Sequence, residues 1–477
     1  MSHKMFGSII LSIVFVLLAL GLWVTSVAPP VDAQGPSQDQ LTFLPVILRS
    51  ATLTPSPALC PGPEPSFVTD FNVRQTVLVS EPTARIPFRD PVFGRCLVRA
   101  TDRATDISSD DPSAGLKNEY SRVQSFNADE SRIVVRGTEA TWYLYDAQTL
   151  QRLATLPIEV DPRWDASNPN RLYYSDGTRL MAYDTQSAQS SLVHEFAGDF
   201  PGQSLSAVWT RYEGSPSRDG RYWGLMAQDQ EGRTVAFLVY DQQADQVTAK
   251  RTLPGSASEV DAVTISPLGT YFLGYFDNYC QSGLGTDAQP CGLMAYDRNL
   301  TNGRGLLRIV GHTDPALDAQ GREVVVFQDI DTDNISMLDL GTGVVTPLWP
   351  IDFSEVAIGL HFSGRALNRP GWALVSTYDD QATAYTWMDD QVFAIELKTN
   401  GRVVRLAHTH SLVDENQEHD YWAEPQASVN RDFTRILFTT NWGRSGTAQV
   451  EMFLIALPSD WLQRLPLNAE PGRLTAY

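Results

Sequence analysis

The stretch "NPNRLYYSDGTRLMAYD", residues 168–184, contains the pattern that decides the fold. Two runs of aromatic and aliphatic residues flank Asp176-Gly177, a dipeptide that is typical of a tight hairpin turn. The second run ends at Asp184, where a further turn follows. The stretch therefore predicts an antiparallel hairpin that leads through another turn into a third strand.

The end of this stretch recurs along the chain. Each copy is a short apolar run that ends in an acidic or small residue, and the seven copies end at Asp146, Asp184, Asp241, Asp297, Asp339, Glu396 and Ala456. Upstream of most copies lies a small polar residue, a tight turn and a β-branched or aromatic run, as in "SRDGRYWGL" from Ser217. No stretch keeps a helical period for three turns.

Four antiparallel strands repeated seven times predict an all-β fold, a seven-bladed β-propeller. The predicted blades span residues 119–157, 158–200, 205–255, 257–310, 311–350, 356–408 and 420–461. The seventh blade lacks an outer strand, and "GRCLVRATD", residues 94–102, is predicted to supply it from the N-terminal side and close the ring. A pair of β-sandwiches or a solenoid is the alternative.

The N-terminal residues predict an exported protein. Residues 1–33 have a signal-peptide pattern, with Lys4 before an apolar run and small residues Val31 and Ala33 at the cleavage positions. An uncleaved membrane anchor is the alternative. Residues 34–75 have the Pro-, Ser- and Thr-rich composition of a linker, and 76–477 form the predicted propeller domain. Both interpretations predict a secreted, cell-surface or periplasmic location.

The net charge limits the kinds of partner that the protein can bind, and the cysteine content limits the compartment in which it folds. The net charge of −20 argues against nucleic acid and against any membrane contact beyond the signal segment. The even number of cysteines in an exported chain favours disulfides, Cys280 with Cys291 across a short loop and then Cys60 with Cys96. We expect a monomer whose partner is an extracellular glycan or protein.

Polar residues near the start of the predicted inner strands are candidate ligand-binding groups. In a propeller these strands begin near the central axis on one face, here called the top face, so their side chains converge on a funnel. The candidates are Tyr120, Arg122, Arg163, Glu213, Asp261 and Gln426. The alternative is that Arg122 and Arg163 simply pair with Glu213, Asp261 and Asp314, because buried charges are costly without partners.

Four of the seven histidines belong to consecutive blades. His312 opens blade five, His361 opens blade six, and His408 and His410 close blade six. Residues two apart in a strand point to the same side, so His408 and His410 are candidates for chelation or for a paired acid and base. The alternative is that each is an ordinary loop histidine.

The turns and hairpin units resemble those of WD-repeat-like propellers in bacterial periplasmic proteins. The segment "HDYWAEPQASVNRDFTRILFTTNWG", residues 419–443, resembles the last blade of oligogalacturonate-lyase-type propellers. In that family, His and Gln side chains around the axis hold a divalent cation, and its H-P-H motif falls on Glu424-Pro425-Gln426 here. The resemblance implies a mixed site of His408, His410 and Glu424 for manganese or calcium.

The chain is also similar in design to ulvan-lyase-like propellers, which use His, Tyr and Arg at the top face. The matching residue types here are Tyr120, Arg122, Arg163, His361, Arg365 and Tyr421. Such lyases cleave uronate polymers by β-elimination. On this resemblance, Arg163 or the cation would neutralise the carboxylate, His361 or His312 would take the α proton, and Tyr421 would protonate the leaving oxygen.

Two functions therefore compete. The first is an exported propeller that binds an extracellular ligand, above all a glycan, at the top-face funnel. The alternative is a uronate polysaccharide lyase that works by metal- or Arg-assisted β-elimination. The replacement of both family histidines in Glu424-Pro425-Gln426 favours the binding protein.

Overall fold

The computed structural model describes residues 60–253, 255, 259–351, 358–379, 385–414 and 417–466. The predicted signal peptide and the first part of the predicted linker lie outside the described residues. The described chain forms seven antiparallel sheets, six with four strands and one with five. This confirms the all-β, seven-bladed prediction.

The first four blades follow one another along the chain, and each is built from its innermost strand outward. Their strands are β3 (Leu116–Asn118), β4 (Arg132–Gly137), β5 (Trp142–Asp146) and β6 (Arg152–Leu156); β7 (Val160–Trp164), β8 (Arg171–Asp176), β9 (Arg179–Asp184) and β10 (Gln189–Glu195); β11 (Leu205–Trp209), β12 (Tyr222–Asp229), β13 (Thr234–Asp241) and β14 (Gln246–Thr252); and β15 (Val260–Ile265), β16 (Tyr271–Phe276), β17 (Leu293–Asp297) and β18 (Arg304–Leu307).

The remaining blades follow the same plan, and the seventh recruits two N-terminal strands. Their strands are β19 (Thr313–Leu317), β20 (Glu323–Asp329), β21 (Asn334–Asp339) and β22 (Val345–Pro350); β23 (Ile358–Ser363), β24 (Trp372–Asp379), β25 (Gln391–Glu396) and β26 (Val403–His408); and β27 (Ser428–Val429), β28 (Arg435–Thr440) and β29 (Glu451–Ala456), with β1 (Phe88–Arg89) and β2 (Cys96–Arg99). Helical elements are short: α1 (Arg103–Asp106) and 3-10 turns at Phe196–Asp199 and Glu418–Ala423.

The polar residue before each hairpin turn ties the first two strands of a blade together. The Ser217 hydroxyl accepts the Tyr222 N–H at 3.0 Å, and the Ser266 hydroxyl accepts the Tyr271 N–H at 2.9 Å. Gly269 in the second turn has φ of +73°, and a Cβ there would stand 2.7 Å from a Tyr222 ring carbon. Only glycine suits that position, because other residues pay for both the backbone conformation and the contact.

The hydrophobic core lies between blades. Among the described residues, seven main clusters of buried side chains each join two neighbouring sheets. One of them packs Leu437 and Leu454 of blade seven against Ile133 and Tyr143 of blade one. The first and last blades are therefore neighbours, and the ring is closed.

The predicted closing strand is confirmed. β2 pairs with β29 in an antiparallel register that sets Leu97 opposite Ile455 and Arg99 opposite Phe453. The sequence did not predict β1, which adds a fifth strand outside β2. Both predicted disulfides, Cys60–Cys96 and Cys280–Cys291, are present. They indicate an oxidising compartment.

Residues 60–79, here called the N-terminal strap, pack on the propeller. Phe71 contacts the rings of Trp349 and Trp387, with centroids 4.7 and 5.0 Å away. Val68 forms a β-bridge with Arg405 in β26. The strap therefore covers the outer strand of blade six. In the described part of the chain no helix is long and apolar enough to span a bilayer.

Candidate functional site

Arg122 crosses the central axis of the ring. Its guanidinium belongs to blade one, yet it donates to Glu213 of blade three at 2.6 Å and to the carbonyl of Thr313 in blade five. The same group lies 4.6 Å from the centroid of the Tyr275 ring in blade four. Side chains far apart in sequence thus meet at the axis, as the propeller prediction requires.

Four side chains beside Arg122 form what we call the central site: Tyr120, His312, His361 and Glu424. The Tyr120 hydroxyl lies 3.3 Å from His312 Nδ1, and the two imidazole centroids are 4.2 Å apart. His361 Nε2 lies 2.8 Å from a Glu424 carboxylate oxygen. The structure therefore brings predicted catalytic residues His312 and His361 together with predicted ligand-binding residue Tyr120.

Burial keeps both imidazoles neutral at ordinary pH. It lowers the pKa of His312 to about 3, with a further contribution from the neighbouring His361. Burial, followed by the charge of Arg122, lowers the pKa of His361 to about 3. Burial also raises the pKa of Glu424. With Glu424 ionised, His361 donates from Nε2 and holds its lone pair on Nδ1, a buried atom with no partner among the described residues.

A second group of polar residues extends the funnel beside Glu424. Lys117 is buried and donates to Gln426 Oε1 at 2.9 Å. Burial, then the charge of Arg136, lowers the pKa of Lys117 to about 8. Glu119 is also buried, and both its carboxylate oxygens lack a hydrogen-bond partner in the described chain. Sequence reasoning selected Gln426 but missed these charged neighbours.

Aromatic side chains border this group. Tyr421, which was predicted as a catalytic acid, is 52% exposed and packs edge-on against Trp422. The Arg136 guanidinium lies 5.1 to 5.6 Å from the ring centroids of Trp142, Tyr212 and Trp422. The sequence signal that could have revealed Lys117 and Glu119 is the alternation of charges in "LKNEY", residues 116–120, which begins in the inner strand β3.

Two predicted ligand-binding arginines lie elsewhere. Arg163 donates to the carbonyls of Gly214 at 2.6 Å and Tyr212 at 2.8 Å, and Arg365 binds Asp314 through two hydrogen bonds. Both are held by these contacts and line a pocket at the other end of the inner strands. The predicted pairing of Arg122 with Glu213 is present, whereas Arg163 lies 3.8 Å from Asp161.

Asp261 stays close to the axis without entering the central site. It sits in β15, half-buried, and its charge acts on Glu213. Burial first, and then Asp261, raise the pKa of Glu213, while Arg122 lowers it. Asp261 therefore shapes the electrostatics around Arg122 and has no hydrogen-bond contact with the histidines among the described residues.

The described contacts of His408 and His410 are with groups other than Glu424. His408 Nε2 lies 2.9 Å from the carbonyl of Arg74 in the N-terminal strap, and its ring packs on Phe93. His410 follows the end of β26 with φ of +53° and stacks on Trp442 at 4.0 Å. The two imidazole centroids are 6.4 Å apart, so the pair lies together at the end of blade six, while Glu424 contacts His361 instead.

Comparison with known proteins shows which solved structures share this fold. No protein-family model matches the chain, and no curated protein matches its sequence. Among solved structures, an oligogalacturonate lyase in complex with manganese superposes with a TM-score of 0.54 and 15% identity, over 79% of this chain and 96% of that one. The oligogalacturonate lyase of Vibrio parahaemolyticus gives 0.51 and 12%, over 79% and 97%.

The chain resembles oligogalacturonate lyase in fold. The resemblance predicted from residues 419–443 is confirmed at this level. At these identities the likeness to oligogalacturonate lyase establishes the architecture of the ring and leaves the chemistry of the funnel to its own residues.

The manganese seen with oligogalacturonate lyase raises the question whether these residues fit a divalent cation. Gln426 Oε1 already accepts the ammonium of Lys117, and Glu424 is bound to His361. No group of three His, Cys, Asp or Glu side chains in the described ranges has the geometry of a metal site. The funnel residues therefore do not fit the cation, and we derive no step through a metal.

Proposed function

We propose that the protein is exported and, as a monomer, binds an extracellular glycan in the top-face funnel. The proposal rests on one observation: buried polar atoms that lack hydrogen-bond partners lie around the central site. Within the described chain they include both carboxylate oxygens of Glu119 and His361 Nδ1. Unpaired buried polar atoms are costly, and sugar hydroxyls, which donate and accept, would satisfy them.

The aromatic border supports a carbohydrate ligand. Tyr421 is exposed, and Trp422 beside it is half-buried. Aromatic rings present large apolar faces at low entropic cost, and the polar edge of tyrosine stays in water. A sugar ring lying on Tyr421 would direct its hydroxyls toward Lys117 and Gln426.

The charges in the funnel favour an acidic sugar. Lys117 and Arg136 form no ion pair with a described carboxylate, whereas Arg122 is already paired with Glu213. A uronate carboxylate would offset these positive charges in a site shielded from water. Lys117 then supplies the positive charge that a metal ion would otherwise bring. The disulfides and the signal-peptide pattern support export.

Binding to polygalacturonate and to a neutral glycan such as dextran tests the proposal. We expect calorimetry to detect the uronate polymer and Tyr421→Ala to weaken its binding about tenfold, since one sugar–aromatic contact at the funnel entrance is lost. The control is Leu192→Ala, which removes an exposed side chain from β10 on the outside of blade two. Equal affinities for wild type and Tyr421→Ala would refute this location for the ligand.

A uronate lyase is the second candidate, and one observation favours it. Neutral His312 and His361 lie together beside Tyr120 and Arg122, the residue types that β-elimination needs for a base, an acid and a carboxylate partner. Ultraviolet absorbance in the same incubations separates the two, because only elimination creates an unsaturated uronate.

A further inference from the structure

A pocket lies at the end of the inner strands opposite the central site. His312 and Glu424 come just before inner strands β19 and β27, whereas this pocket is lined by turns that follow inner strands. It has a volume of about 420 Å³, its open mouth included, and four arginines line it: Arg163, Arg218, Arg365 and Arg431. We call it the arginine pocket.

The arginines come from four different places in the ring. Arg163 lies in β7 of blade two and Arg365 follows β23 of blade six, while Arg218 and Arg431 belong to hairpin turns of blades three and seven. No Asp or Glu is among the described residues that line the pocket. In a chain with a net charge of −20, this concentration of positive charge is a local feature.

Two of the arginines are already oriented. The backbone carbonyls of Tyr212 and Gly214 hold Arg163, and Asp314 holds Arg365. A guanidinium that is fixed in this way loses little conformational entropy when it contacts a ligand. Their charges are largely offset by Asp161 and Asp314.

The other two carry uncompensated charge. Arg431 donates to the carbonyl of Arg218 at 3.2 Å, and neither side chain forms an ion pair with a carboxylate in the described chain. Burial, then the charge of Arg365, lowers the pKa of Arg431. Asp165, Glu130 and Asp432 act on Arg431 only at longer range. Arg218 and Arg431 therefore bring to the pocket two guanidinium groups that no described carboxylate pairs directly.

We propose that the arginine pocket binds a small oxyanion, a phosphate, sulfate or carboxylate group, independently of the glycan in the funnel. Guanidinium groups match the geometry of such anions and donate paired hydrogen bonds to them. Arg431 and Arg218 provide the uncompensated charge, and Arg163 and Arg365 provide rigid walls.

Thermal shift and calorimetry with sodium phosphate, sodium sulfate and sodium galacturonate test this, each against sodium chloride at equal ionic strength. We expect at least one of the three to raise Tm and bind, and the double variant Arg218→Gln/Arg431→Gln to bind it at least tenfold more weakly. The matched control is Arg179→Gln, which removes an exposed arginine paired with Asp176 in blade two. The anion that binds identifies the class of ligand.

The double variant is expected to fold. It removes Arg431, whose guanidinium is repelled by Arg365, and the exposed Arg218, so its Tm without the anion should stay close to that of the wild type. Binding by the wild type that the double variant retains unchanged would overturn the proposal, as would the absence of binding by all three anions. Neither result bears on the glycan, because the variants leave Tyr421 and the central site untouched.

Discussion

At the scale of single residues, the funnel is distinguished by charges buried without a full set of partners. Lys117 is the clearest case, since its ammonium has one described hydrogen bond, to Gln426. Its surroundings lower its pKa to about 8, mainly through burial. The folded state therefore binds the proton less tightly than the unfolded state, and keeping Lys117 charged costs stability.

This predicts a pH dependence with a definite sign. Between pH 8 and 10.5 the unfolded chain keeps the Lys117 proton while the folded chain loses it, so the free energy of unfolding rises with pH. Relative to Lys117→Met, we expect the wild type to gain about 3 kcal/mol over this range. Urea unfolding of both proteins at several pH values measures the difference. A constant difference across the range would show that Lys117 titrates normally.

At the scale of elements, the strands could be predicted from the sequence, whereas the segments that pack over them could not. The repeated runs ending at Asp146, Asp184 and Asp241 are the third strands of their blades, because strand propensity and turn residues act locally. The surroundings of His408 could not be predicted for the opposite reason. Its environment depends on the N-terminal strap, a segment hundreds of residues away whose path no local pattern specifies.

The two disulfides should differ in what they protect. Cys60–Cys96 spans 36 residues and anchors the ring-closing strand β2, whereas Cys280–Cys291 spans 11 within one blade. We expect Cys60→Ser/Cys96→Ser to lower the free energy of unfolding by about 4 kcal/mol, since the longer loop constrains the unfolded chain more. Cys280→Ser/Cys291→Ser is the control and should cost about 3 kcal/mol.

Hydrogen exchange separates the two variants further. Loss of Cys60–Cys96 should speed exchange of the β2 amides, because β2 loses its covalent link to the N-terminal strap and keeps only its pairing with β1 and β29 and its core contacts. Loss of Cys280–Cys291 should leave those amides protected. Faster exchange of β2 in the control variant would contradict a specific role for the first bridge in ring closure.

At the scale of the whole molecule, the ring depends on a strand borrowed from the N-terminal side. Without β1 and β2, strand β29 would present an open edge to solvent, and open edges promote pairing between chains. We therefore expect deletion of residues 1–102 to produce dimers or larger aggregates in light scattering after gel filtration. Deletion of residues 1–59 keeps the closing strand and should elute in the same oligomeric state as the full chain; aggregation of this control would argue for another cause.

The same scale decides how much of the site the sequence could predict. Blade order brought His312 and His361 to one place correctly, because consecutive inner strands lie side by side around the axis. The sequence could not predict how far along the axis each side chain lies. Arg163 and Arg365 were therefore assigned to the funnel, although they line the opposite pocket. A repeat pattern gives angular position in the ring, whereas depth depends on where each short inner strand starts.

Arg122 has one more consequence for how a ligand moves. Because its side chain joins blades one, three and five across the middle, it closes the tunnel that such a ring would otherwise have. Each face of the ring then has a closed cavity that opens to solvent on one side only. A ligand that enters the top-face funnel would therefore have to leave by the same face.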